Sequence, residues 1–156
     1  MTHPIAIDLA DEAATARLAA RLAGLARQGD VIALAGDLGA GKTALARAFI
    51  RTLVGADEEV PSPTFTLVQT YDFDLGTLWH FDLYRLDRPD DALELGIEDA
   101  FAQGISLIEW PDRLGPFLPV DHLTVTLAPG PTKEARRALL EGGAAWTDRL
   151  KEIFGA

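Results

Sequence analysis

The sequence predicts an α/β fold in three layers, with a central, mostly parallel sheet between helices and antiparallel hairpin additions. Three observations predict it. Val31-Ile32-Ala33-Leu34-Ala35 is apolar at every position, as a strand covered by helices on both faces must be. A glycine-rich turn, Gly36 to Thr43, follows at once. Ala44 to Leu53 then carries no proline or glycine and sets Leu45, Ala48, Phe49 and Leu53 on one side, which predicts a helix.

The other elements follow from periodicity. Pro4 to Leu9 alternates Ile5, Ile7 and Leu9 and predicts a first strand. Asp11 is placed to cap a helix with Glu12 in its first turn, running to about Gln28 with Ala14, Leu18, Leu22, Leu25 and Ala26 inward and Gly29 as terminator. Phe65 to Asp72 and Thr77 to Leu83 are rich in aromatic and β-branched residues around Asp74-Leu75-Gly76, the pattern of a hairpin. Asp90 to Glu94 and Ile97 to Ala102 predict short helices. Ile105 to Glu109 is a second buried-type strand, ending in an acid and stopped by Pro111. His122 to Ala128 and Ala135 to Leu140 flank Pro129-Gly130-Pro131 as another hairpin, before a last helix from about Ala145 to Phe154. No repeat or linker divides the chain, so residues 1–156 are expected to form one domain.

Composition narrows the function classes. Asp and Glu number 24 against 14 Lys and Arg, a net charge of −10, so phosphate backbones repel the chain and autonomous nucleic-acid binding is not expected. The absence of cysteine excludes disulfides, thiolate metal sites and cysteine nucleophiles, and His3, His80 and His122 are too scattered for a zinc motif. With no apolar run of about 18 residues and no basic leader in Met1 to Ala14, a cytoplasmic location without membrane attachment is expected.

The chemistry resides in Gly36-Asp37-Leu38-Gly39-Ala40-Gly41-Lys42-Thr43, a Gly-x-x-x-x-Gly-Lys-Thr signature set between a predicted strand and a predicted helix. Glycines let the backbone turn sharply and gather N–H groups around phosphate oxygens. Lys42 reaches the β- and γ-phosphates, Thr43 offers a hydroxyl to Mg²⁺, and the positive end of the helix points at the same anion. The domain is thus P-loop NTPase-like, with ATP as ligand and Mg²⁺ as cofactor. Guanine is disfavoured, because the Asn-Lys-x-Asp signature of GTPases needs an asparagine and the sequence has none.

Phosphoryl transfer also needs an acid on the magnesium and a group that orients the attacking water. Asp82, set among apolar residues in Trp79 to Arg85, is one candidate; Glu109, at a strand end, is the other, placed either to bind magnesium or to organise water. Pro61 to Thr66 combines prolines with the hydroxyls of Ser62 and Thr64, as a switch segment does; the alternative is a rigid loop. Trp110 is read as packing. Arg85, Arg88 and Arg113 keep a small-molecule kinase open as a rival, and a nucleotide-gated binding module without hydrolysis is the second rival.

Taken in order, Gly36 to Thr43, Ser62-Pro63-Thr64-Phe65-Thr66-Leu67-Val68, His80-Phe81-Asp82-Leu83-Tyr84-Arg85 and Glu109-Trp110-Pro111 resemble the bacterial TsaE (YjeE) family. Leu95-Gly96-Ile97 with Asp99 and Phe101, and Asp11-Glu12 with Ala14-Thr15, fit the same pattern. The resemblance implies an ATPase needed for threonylcarbamoyladenosine on transfer RNA, working with the TsaB–TsaD complex, through which the tRNA is met. It implies that Lys42 and Thr43 serve phosphate and magnesium, that Asp82 and Glu109 form the acidic site, that Thr64 lies in the switch-like loop, and that Glu12 approaches the nucleoside. The family more often shows Gly-Arg in place of Thr132-Lys133, so Lys133 is either a nucleotide contact or an exposed charge at a hairpin tip. Ala44 stands where a second Thr is frequent and leaves the Thr43 hydroxyl in place.

Overall fold

The computed structural model describes residues 4–154; Met1 to His3, Gly155 and Ala156 lie outside the described residues, and with them His3 and the two ends of the domain expected over 1–156. A seven-stranded sheet forms the middle layer, in the order β1-β7-β6-β2-β5-β4-β3. Its strands are β1 (Ile5–Leu9), β2 (Val31–Ala35), β3 (Val68–Phe73), β4 (Gly76–Asp82), β5 (Ile105–Glu109), β6 (Leu123–Pro129) and β7 (Arg136–Gly142). The four central strands β6, β2, β5 and β4 are mutually parallel. The outer strands β7, β1 and β3 are antiparallel to their neighbours. The expected sheet, mostly parallel in the centre with antiparallel hairpin additions, is therefore present, and the structure places the antiparallel strands at its edges.

The helices are α1 (Glu12–Leu25), α2 (Lys42–Val54), α3 (Ile97–Gln103) and α4 (Ala144–Phe154). α1, α2 and α4 cover one face, where Leu22, Phe49 and Trp146 pack with Leu34, Leu107 and Val125 of the sheet. α3 and the 3₁₀ segments Pro89–Leu95 and Pro111–Phe117 cover the other, where Ile97 and Leu114 pack on Phe81 and Ile108. β2 and β5, sandwiched between the two layers, are buried nearly throughout, which is why they read as continuous apolar runs. Each large side chain fully buried in this way stabilises the fold by about 1.5–3 kcal/mol relative to exposure.

Several boundaries differ from the expectation, each for a local reason. α1 starts where Asp11 Oδ1 accepts from Ala14 N at 2.9 Å, as its capping role predicts. It ends at Leu25 and not Gln28, because Ala26 is already extended and the Arg27 N–H turns to the Asp30 carboxylate at 2.6 Å. Asp30 is in turn gripped by Arg149 of α4 in a buried two-pronged pair, Nη1–Oδ2 2.7 Å and Nη2–Oδ1 2.9 Å, so the approach to β2 is fixed by α4. β3 begins at Val68 and not Phe65, because Leu67 N donates to Pro63 O at 2.7 Å and Leu67 is left-handed at φ 69°, which turns the chain out of the strand path. The short helix expected over Asp90 to Glu94 is present as the 3₁₀ segment Pro89–Leu95, one residue longer at each end and closed by Gly96. α2 begins at Lys42, two residues earlier than predicted, so the signature Lys and Thr form its first turn.

Candidate functional site

Parallel strands bring their carboxyl ends to one edge, and the chemistry-bearing residues gather there. β2 ends into the glycine loop, β5 ends at Glu109 and β4 ends at Asp82, with Leu34 paired to Glu109 and Glu109 paired to Asp82 in the strand register. Two acids far apart in sequence thus stand on adjacent strands beside the loop. Such an edge is where open α/β sheets bind ligands. A cleft of about 490 Å³ opens over it, with Lys42, Thr43, Thr64, Asp82, Glu109 and Trp110 in its walls.

The loop fits tightly against the sheet. Gly36 has φ 136°, and a Cβ there would stand 2.5 Å from the Leu127 carbonyl oxygen of β6, so only glycine allows the chain to leave β2 in this direction. Lys42 is 5% exposed, and its Nζ donates to the carbonyl oxygens of Gly36 at 2.6 Å and Asp37 at 2.9 Å. It also lies 4.2 Å above the centre of the Trp110 ring. Burial pushes the Lys42 ammonium below its ordinary 10.5, an effect opposed by the charges of Glu109, Asp82 and Asp37.

The acids are held by defined donors. Glu109 is buried; its Oε1 accepts from Thr43 Oγ1 at 2.9 Å and its Oε2 lies 2.6 Å from His80 Nε2. Asp82 is also buried; its Oδ2 accepts from Thr64 Oγ1 at 3.1 Å and its Oδ1 from the Tyr84 backbone N–H at 3.1 Å. Ser62 Oγ is 2.8 Å from Thr64 Oγ1, so the Pro61 to Thr66 loop is tied to the acidic site through both hydroxyls. The donor set at the edge is all oxygen, a hydroxyl and two carboxylates, which suits a small hard divalent cation that takes one or two protein ligands and completes its shell with phosphates and water. Magnesium fits these residues.

Glu12 and Lys133 come together elsewhere. With Gly41, Ala44 and Arg136 they line a second hollow of about 310 Å³, which shares Gly41 and Ala44 with the cleft. Both are exposed there, Glu12 at the start of α1 and Lys133 in the turn between β6 and β7. Of the three arginines considered for a kinase, Arg85 lines the cleft and stacks on Phe65 at 4.8 Å, Arg113 stacks on Tyr84 at 5.7 Å, and Arg88 is exposed beside Asp91.

Comparison with known proteins gives this geometry a family. The sequence model described as "Threonylcarbamoyl adenosine biosynthesis protein TsaE" matches residues 9–138. The chain belongs to the TsaE family. It is 40% identical over 119 residues to the tRNA threonylcarbamoyladenosine biosynthesis protein TsaE of Rickettsia felis, covering 76% of this chain and 70% of that one. Its identity to the Bacillus subtilis protein of the same name is 38% over 114 residues, covering 72% and 70%. The crystal structure of Bacillus subtilis YdiB superposes with a TM-score of 0.80 at 27% identity, covering 97% of this chain and 94% of that chain. The chain is thus a P-loop-type member of a family named for a transfer-RNA modification, and among its described residues no helix is long and apolar enough to cross a membrane.

Within this TsaE-family site, three residues have contacts that the sequence reading did not assign. Trp110, read as packing, does pack against the Phe81 and Ile108 core and also lines the cleft: at φ 61° and ψ 54° its left-handed backbone lays the indole against Tyr84, ring centres 4.9 Å apart, and under Lys42. A bulky residue held in that conformation, directly before a proline, is a strained position of the kind that clusters at functional sites. Arg136 donates to Ala40 O at 3.0 Å and Gly39 O at 3.4 Å, bracing the loop from β7; the register that carries it to the loop has no local signal in the sequence. His80 is wholly buried against Glu109. Its signal was alternation, since residues 80 and 82 of one strand share a face.

Proposed function

We propose that the chain is a magnesium-dependent ATPase supporting N6-threonylcarbamoyladenosine modification of transfer RNA, its ATP binding and hydrolysis coupled to the TsaB–TsaD complex. The observation that carries this reading is the bond from Thr43 Oγ1, in the first turn of the helix after the glycine loop, to Glu109 at the end of the neighbouring strand. It joins the phosphate-binding element to the acidic pair in one network. A chance glycine turn would lack it.

In this reading the loop N–H groups and the N-terminus of α2 hold the phosphates. Lys42 transfers its N–H donors from the Gly36 and Asp37 carbonyls to the β- and γ-phosphate oxygens. Thr43 and one or both of Asp82 and Glu109 hold Mg²⁺, which supplies charge neutralisation of the phosphates. Whichever carboxylate is not fully engaged orients the attacking water, and Thr64 presents its hydroxyl from the switch-like loop. Catalysis then consists of positioning and electrostatics. Glu12 and Lys133 approach the nucleoside end from the second hollow. The lack of asparagine favours ATP over GTP. The net charge of −10 favours contact with tRNA through the partner complex over direct binding.

The test measures ATP hydrolysis by the chain alone and with TsaB–TsaD, beside tRNA modification with and without the chain. Slow hydrolysis alone, stimulation by the complex and dependent modification are expected. No stimulation and no dependence would defeat the reading. Phosphate passing to a small hydroxyl acceptor would favour the kinase that Arg85 in the cleft permits, and ATP remaining intact with partners present would favour a nucleotide-gated binding module.

A further inference from the structure

His80 sits on β4 with its side chain on the same face as Asp82 and Leu78, in the layer between the sheet and α2. It is 0% exposed. Its Nε2 meets Glu109 Oε2 at 2.6 Å, a short distance for nitrogen and oxygen, while Nδ1 has no partner although it too is buried. Neighbours along the same faces of β4 and β5, Leu78, Ile105 and Leu107, are apolar and completely or almost completely buried. Among the described residues, it is the imidazole that meets the inner oxygen of Glu109.

Glutamate carries three side-chain torsions and buries poorly as an anion unless each oxygen is satisfied. Here the outer oxygen, Oε1, takes the Thr43 hydroxyl and the inner oxygen, Oε2, takes His80. The two bonds fix the plane of the carboxylate. For the ionised Glu109 that the proposed role requires, a proton on Nδ1 with a bare Nε2 would set two lone pairs against each other at 2.6 Å, so Nε2–H is the donor to the carboxylate. We propose that His80 is a positioning residue which locks the Glu109 carboxylate in the orientation that serves Thr43 and the reacting phosphate. This rests on the role proposed above for Glu109 and adds the device that holds it.

The test compares His80→Leu, which removes the donor, with His80→Gln, whose amide supplies an N–H at a similar reach, and both with Glu109→Gln and the double variant His80→Leu/Glu109→Gln. Each full-length chain is assayed with TsaB–TsaD and Mg-ATP, and ATP affinity is measured separately. Loss of a residue that orients a ligand-binding group costs roughly 10–100-fold, so kcat of His80→Leu is expected to fall by that much with ATP affinity changed by less than about threefold. His80→Gln recovers most of the loss, and His80→Leu adds nothing further in the Glu109→Gln background, since the group it positions is already disabled. Undiminished turnover in His80→Leu, a His80→Gln as slow as His80→Leu, or losses that multiply in the double variant would each overturn the positioning role while leaving the ATPase reading intact. Full turnover in Glu109→Gln would overturn both. Should His80→Leu not fold, imidazole nitrogen NMR of the unaltered chain still decides, because a proton on Nδ1 with Nε2 bare contradicts the bond on which the proposal stands.

Discussion

Replacing Gly36 with alanine measures how closely the phosphate loop is pressed to the sheet. A Cβ at this position would lie 2.5 Å from the Leu127 carbonyl oxygen and 3.1 Å from the Ala40 Cβ, and approaches under 3.0 Å force a shift. The Leu127 oxygen belongs to β6, which is hydrogen-bonded on both sides by β2 and β7, so it is the loop that must lift, by about 0.5 Å or more. Forcing alanine to φ 136° costs about 1–3 kcal/mol of backbone strain and the overpacking about 1–3 kcal/mol more, so Gly36→Ala should lose roughly 2–6 kcal/mol. That is a large share of the ~5–15 kcal/mol by which a domain of this size is stable. Two other glycines calibrate the result. Gly39 has φ 80° but nothing within 4 Å of a Cβ, so Gly39→Ala should lose only the strain of a left-handed residue, about 1–2 kcal/mol. Gly24 is exposed within α1 with nothing within 4 Å, so Gly24→Ala should gain about 0.5–1 kcal/mol. Urea unfolding followed by tryptophan fluorescence gives all three, and calorimetry with Mg-ATP should show Gly36→Ala weakened by at least about tenfold because its phosphate-binding N–H groups are displaced. Equal losses at Gly36 and Gly39, or normal ATP binding by a folded Gly36→Ala chain, would refute the reasoning.

Three further expectations follow from the same geometry. Lys42→Met removes a buried cation whose folded pKa lies below 10.5; in the window from that lowered value up to 10.5 the unfolded chain binds more protons, so the unaltered chain should gain stability as pH rises there, and the variant should not show this gain in urea titrations at several pH values. The same variant should bind ATP poorly at neutral pH, and unchanged affinity would remove Lys42 from the site. Arg149→Met leaves Asp30 buried without its two-pronged partner and should cost about 3–5 kcal/mol in thermal or urea unfolding, while Arg149→Met/Asp30→Leu should recover much of it. Thr64→Val removes the hydroxyl shared between Ser62 and Asp82 and should lower kcat by about tenfold with a stability change near 1 kcal/mol, so a loss confined to stability would mark Pro61 to Thr66 as a rigid loop.

Much of the fold was legible because its signals are local. β2 and β5 are buried on both faces and therefore apolar at nearly every position, α1 announces its start with Asp11, and the hairpins carry their glycines and prolines between apolar runs. The ends of α1 and β3 were misplaced because distant or irregular contacts set them: Arg149 reaches Asp30, which captures the Arg27 N–H, and Leu67 adopts a left-handed turn that no periodicity encodes. In the site, Lys42 and Thr43 were visible from spacing, whereas Arg136, His80 and the cleft-facing side of Trp110 depend on partners 29 to 97 residues away or on a strained backbone.

The sequence by itself determined the phosphate loop, the two acids and the order of motifs that marks the family, because each is carried by residue type and short spacing. Only the tertiary structure decided that Asp82 and Glu109 stand side by side, that Glu109 joins Thr43 to a buried His80, and that Glu12 and Lys133 share a second hollow. The physical reason is register. A parallel sheet brings strand ends together through crossovers whose length does not show in any single segment, and burial then fixes which side chains must find one another.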